Sequence, residues 1–106
     1  MDKNLKGLKP ELVWKHFAAI CDIPHPSHEE DAIRAYIVKW AQELGLEHKV
    51  DEAQNVYVYK PATPGMEDRK GIVLQAHTDM VPQKNNDTEF NFSTDPIEAY
   101  IDGEWV

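Results

Sequence analysis

The residues best suited to chemistry lie in the run Leu74-Gln75-Ala76-His77-Thr78-Asp79-Met80. A neutral imidazole is a good zinc donor. A carboxylate close by can accept the proton on the other ring nitrogen, which fixes the tautomer and raises ligand basicity. Strand side chains alternate, so positions 77 and 79 can share one side. The apolar residues ahead of them read as a buried strand, and α/β sheets place their sites at the carboxyl ends of such strands. Alone, His-x-Asp has a plain alternative: a histidine hydrogen-bonded at a strand end. One histidine also cannot hold a catalytic zinc, which takes about three protein ligands plus an open position, and two-metal sites need further carboxylates.

A second cluster, Cys21, His25, His28, Glu29 and Glu30, has residue types that bind transition metals, but its spacing matches no common zinc pattern. Simpler roles cover its members. Ser27 with Glu30 three places later reads as a capping box, and Ile23-Pro24-His25-Pro26 reads as a stiff connector, because each proline fixes its own φ and restricts the residue before it. Glu29, Glu30 and Asp31 suit the positive end of a helix dipole. His16 and His48 fall in helix and strand patterns and read as surface or boundary positions. Phe17, Tyr36 and Trp40 sit at helical spacing and read as core packing.

These residues need elements to position them. Val13, Phe17 and Ile20 recur at helical spacing and predict a first helix over residues 10–20, with Pro10 at its first position. The second helix starts at the capping box and buries Ala32, Ile33, Tyr36, Ile37, Trp40, Ala41 and Leu44, and Gly45 is its left-handed C-cap. The period then changes. Val56-Tyr57-Val58-Tyr59 has strand composition, with a shorter partner at 47–50. Residues 61–71 form a loop, 72–76 a buried strand, and 81–95 a long polar loop of the kind that often carries function. Residues 97–101 and 104–106 flank Asp102-Gly103 as a hairpin. The expected fold is α/β: two helices followed by four or five short strands of a mixed sheet, in one domain truncated inside a strand.

Composition narrows the partners. The chain has 106 residues, 42% hydrophobic, with 19 acidic against 11 basic side chains and a formal charge of -8. That balance repels nucleic acid and anionic lipid. No apolar run approaches the roughly 20 residues that span a bilayer, and the first ten residues lack the apolar stretch of a signal peptide. A single cysteine, Cys21, forms no internal disulfide. A cytoplasmic protein with no nucleic-acid or membrane partner is expected. Asn86-Asp87-Thr88 and Asn91-Phe92-Ser93 fit the glycosylation pattern by chance.

Four stretches carry a family likeness: Ile20-Cys21-Asp22-Ile23-Pro24-His25-Pro26-Ser27, Lys60-Pro61-Ala62-Thr63-Pro64-Gly65-Met66-Glu67, the segment from Val73 through His77 and Asp79 to Asn85, and Tyr100-Ile101-Asp102-Gly103-Glu104-Trp105-Val106. Together they resemble the aminoacyl-histidine dipeptidases, or Xaa-His dipeptidases, of the two-zinc aminoacylase and carboxypeptidase superfamily. The resemblance implies that residues 1–106 are the amino-terminal portion of a metallopeptidase catalytic domain. It implies that His77 is a ligand to one of two zinc ions and that Asp79 is the catalytic carboxylate orienting its ring. The implied reaction is hydrolysis of small dipeptides with carboxyl-terminal histidine by a metal-activated water. The bridging aspartate, the general base and the other ligands would lie further along such a chain. The 106 residues alone are therefore expected to be inactive, with zinc sites unfilled or partly filled, and to self-associate through strand edges or sheet faces. The rivals are a non-catalytic binding module, and an aminoacylase or tripeptidase of the same superfamily.

Overall fold

The computed structural model describes residues 4–106. They cluster into two compact units, one made of residues 4–33 with Asp79–Val106 and the other of Arg34–Thr78.

Helix α1 (Glu11–Asp22) begins one residue later than the spacing predicts: Pro10 holds the N-cap position, with φ -71° and ψ 137°. Glu11 stands in the first turn, where its charge complements the helix dipole. The helix stops because Ile23 precedes Pro24 and is forced into extended backbone, φ -104° and ψ 111°. The expected apolar stripe is not the buried one. Val13, Phe17 and Ile20 are 57, 41 and 41% exposed, while the small residues Ala18 and Cys21 form the buried face. The larger side chains are only partly covered, and Phe17 packs edge to face on Trp14, with ring centroids 5.7 Å apart.

Helix α2 (Asp31–Glu43) starts at Asp31 and not at Ser27. The expected capping box does not form. The Glu30 carboxylate accepts the backbone N–H of His28 at 3.0 Å, and the Ser27 hydroxyl is engaged with Asp79. The other end follows expectation. Gly45 adopts φ +65°, its N–H reaches the Gln42 carbonyl at 3.0 Å, and the Leu46 N–H reaches the Ala41 carbonyl at 2.9 Å. Those two bonds make a Schellman cap. Ile33 and Ala41 are buried, and Tyr36, Ile37 and Trp40 are half-buried.

Strands β1 (Glu47–Val50) and β2 (Val56–Tyr59) pair antiparallel, with His48 opposite Val58 and Lys49 opposite Tyr57. Asp51 clasps their connection: its carboxylate accepts the Asn55 N–H at 2.8 Å, the Asn55 Nδ2 at 2.9 Å and the Tyr57 hydroxyl at 3.1 Å. These bonds favour the ionised form and hold the Asp51 carboxyl below its ordinary value. The Asn55 side chain acts most strongly, then the Asn55 backbone, and Tyr57 less.

Among the described residues the architecture is thus α/β, two helices followed by a small open sheet of two strands. The four or five strands predicted from sequence are not all present. Residues 72–76 form no strand, because no backbone among the described residues pairs with them, and Ile72, Val73 and Leu74 are 84, 91 and 89% exposed. The hairpin near the end is reduced to one bridge between Asp102 and Trp105. Its two-residue turn is Gly103-Glu104, one place later than predicted, with Gly103 at φ +61° as the first residue of a type II′ turn requires. No helix among the described residues is long and apolar enough to cross a membrane.

Candidate metal-site corner at Asp79

The connector after α1 is where distant parts of the first unit meet. Its prolines stiffen it, and His25, only 8% exposed, braces it: the ring Nδ1–H donates to the Ile23 carbonyl at 2.5 Å. The chain then turns over residues 26–29, closed by the Glu29 N–H on the Pro26 carbonyl at 2.9 Å. His28, the third residue of that turn, has φ +73°. A type II turn demands such backbone at this position and usually recruits glycine or asparagine for it, so a histidine there is strained.

This turn presents Ser27 to residues 79 and 80. The Met80 N–H donates to the His25 carbonyl at 2.9 Å and the Ser27 N–H donates to the Met80 carbonyl at 3.1 Å, a parallel bridge between Pro26 and Met80. The Ser27 hydroxyl donates to Asp79 Oδ2 at 2.5 Å. That length belongs to the short, charge-assisted class of O–H···O⁻ bond. Asp79 and Met80 are half-buried. Further contacts surround the connector: the Ile97 N–H donates to the Cys21 carbonyl at 2.9 Å and the Ser93 hydroxyl to Glu29 Oε2 at 2.8 Å. The loop of residues 81–95 is therefore tied down rather than loose. Asn91 and Asp95 close its second half, with the Asp95 N–H on the Asn91 carbonyl and the Asn91 N–H on Asp95 Oδ2, each at 2.8 Å.

The second cluster weighed from sequence is occupied with structural work. Glu29 and Glu30 accept the bonds already described, His28 shapes the turn and His25 braces the connector. Burial, and secondarily the neighbouring Asp22, push the Cys21 thiol up, which disfavours the thiolate that a metal would need.

His77 lies in the second unit, within residues 61–78, all of which are exposed; Asp79 lies in the first. Among the described residues no three histidine, cysteine, aspartate or glutamate side chains gather to hold an ion. An imidazole plus a carboxylate fits one edge of a zinc site, not a complete one. The hollows lined by Leu5, Leu12 and Trp14 and by Phe90, Phe92 and Asp95 include neither residue. Sequence reasoning singled out His77 and Asp79 and missed Ser27 as the partner of Asp79. Its place in the quoted Pro26-Ser27 motif was the only available signal.

No family model matches the chain. The chain is 57% identical over 103 residues to the cytosol non-specific dipeptidase of Escherichia coli (strain K12), covering 97% of this chain and 21% of that protein. The crystal structure of aminoacylhistidine dipeptidase from Vibrio alginolyticus is similar with a TM-score of 0.89 and 56% identity, covering 95% of this chain and 21% of the other. Agreement of sequence and backbone at this level makes the chain similar to one stretch of each of these two dipeptidases. The chain spans about a fifth of the length of the relatives it matches.

Proposed function

We propose that residues 1–106 are the amino-terminal portion of the catalytic domain of a cytoplasmic two-zinc dipeptidase acting on Xaa-His dipeptides. In this reading His77 is a ligand to one metal ion and Asp79 is the carboxylate that orients its ring. The observation that carries the proposal is the 57% identity to a cytosolic dipeptidase, joined to a TM-score of 0.89 against an aminoacylhistidine dipeptidase.

Surface area supports a larger host. The chain exposes 9017 Å², against roughly 6,100 Å² for a folded monomer of this mass. The bare Ile72, Val73 and Leu74 have strand composition, and partner backbone from elsewhere in the polypeptide would make them part of the mixed sheet of four or five strands. The same exposed run favours self-association when the 106 residues stand alone, through edge pairing or packing of open faces.

When bound, the two divalent ions polarise the scissile carbonyl and activate the water that attacks it. This chain's share is positional. His77 offers a neutral nitrogen lone pair, and Asp79 accepts the proton of the other ring nitrogen, keeping the donor tautomer and raising its basicity. No residue here is assigned the role of general base. The test compares the complete polypeptide carrying this segment with the 106 residues alone. The complete protein is expected to hydrolyse an Xaa-His dipeptide, to lose turnover to a chelator and to regain it with Zn²⁺. The isolated chain is expected to be inactive and, by light scattering, oligomeric. Chelator-resistant turnover by the complete protein, or metal-dependent turnover by the 106 residues alone, overturns the proposal.

A further inference from the structure

Ser27 has the composition of a helix cap and does not act as one. It sits in a turn with a histidine held at φ +73°, next to a connector braced by the largely buried His25. Its backbone N–H and its hydroxyl are both spent on the segment that begins at Asp79, the first on the Met80 carbonyl and the second on Asp79 Oδ2. An ordinary exposed serine is not tied from two directions to a carboxylate 52 residues away. Strain kept at a turn whose product is one short bond to an acid is a reason to look for a role for that bond.

We infer that Ser27 is a positioning residue for the dipeptidase reaction: its hydroxyl fixes the rotation of the Asp79 carboxylate through Oδ2, so that the acid presents its other oxygen in one orientation. This inference rests on the two-zinc dipeptidase proposal. The physical case is simple. A carboxylate attached by one rotatable bond presents either oxygen at many angles, whereas the imidazole hydrogen bond needs one direction. A hydroxyl donor on one oxygen removes that freedom. Partners that orient metal-bound histidines are worth about 10–100-fold in metal affinity or activity. Ser27 stands one bond further out, so a loss near the lower end of that range is expected.

The experiment uses the complete dipeptidase with Ser27→Ala and Ser27→Thr. Zn²⁺ affinity of the metal-free protein is measured by competition with a chromophoric chelator, alongside kcat and KM for an Xaa-His dipeptide and thermal unfolding of the metal-free form. For Ser27→Ala, Zn²⁺ affinity or kcat should fall about 10-fold with KM little changed. Ser27→Thr, which keeps the hydroxyl, should recover most of the loss. Parent-like Zn²⁺ affinity and kcat in Ser27→Ala overturn the inference. So does a Ser27→Thr enzyme as impaired as Ser27→Ala, or a loss that follows only a lowered unfolding temperature of the metal-free protein. A parent enzyme that binds no Zn²⁺ and hydrolyses the dipeptide regardless overturns the dipeptidase proposal itself, and this inference with it.

Discussion

Two short stretches flank the boundary between His77 and Asp79, and they are built on opposite principles. Asp79 and Met80 are moored by three hydrogen bonds to residues 25–27, and that connector is itself braced by His25. Residues 61–78 are exposed throughout, with apolar Ile72, Val73 and Leu74 among the barest side chains in the chain. The difference separates what these residues can organise for themselves from what they need others to organise. The Asp79 carboxylate has its support within the chain. The imidazole stands on a segment whose sequence calls for neighbours on both faces.

The largest effect expected from this contrast is chemical. Under the proposed function, His77→Ala in the complete polypeptide should lower Zn²⁺ occupancy and turnover by more than about 100-fold, beyond the range of an outer-shell change. Asp79→Asn, which keeps shape but loses charge, should cost about 10–100-fold, chiefly in turnover. Metal analysis and steady-state kinetics check both. Parent-like metal content and turnover in both variants would dissolve the distinction between ligand and orienting acid.

A smaller effect concerns stability on the two sides. Ile33 is among the most buried apolar residues, and Ile33→Ala should destabilise by about 2–5 kcal/mol. Val73→Ala in the 106-residue chain should stay within about 0.5 kcal/mol, because that side chain touches little, yet it should become costly in the complete protein. Urea denaturation of both proteins sharpens the comparison. Equal sensitivity of the 106-residue chain at the two positions breaks it.

The smallest effect tests whether the second unit holds any self-sufficient part. Asp51 has its carboxyl held below the usual range, so its clasp contributes in the ionised state. That contribution is fully present above the unfolded value of about 4 and is lost as pH falls through the lowered folded value. An NMR titration should place Asp51 below the ordinary value for an aspartate. Asp51→Asn should flatten the acid dependence of the Asn55 and Tyr57 signals. An ordinary titration at Asp51 would leave the hairpin without its clasp.

Local patterns were legible where the deciding interactions are local. Gly45 announced the end of α2, Pro24 the end of α1, and Val56-Tyr57-Val58-Tyr59 a strand. They misled where a distant partner decided. Ser27 and Glu30 fit a capping box, but the competitor for the hydroxyl lies at position 79, which no local window includes. Val13, Phe17 and Ile20 have the right spacing for a core stripe, yet burial depends on what comes to cover them. Residues 72–76 have strand composition, but a strand is a relation between two backbones, and among the described residues none pairs with them, so the expected buried strand is absent. The candidate site was partly legible: His77 and Asp79 stood out by type and spacing, and their role came from the family motifs around them.

The bond between positions 27 and 79 joins residues 52 apart in sequence. A chain made from its amino end releases the hydroxyl first, so the acid emerges to a partner already made.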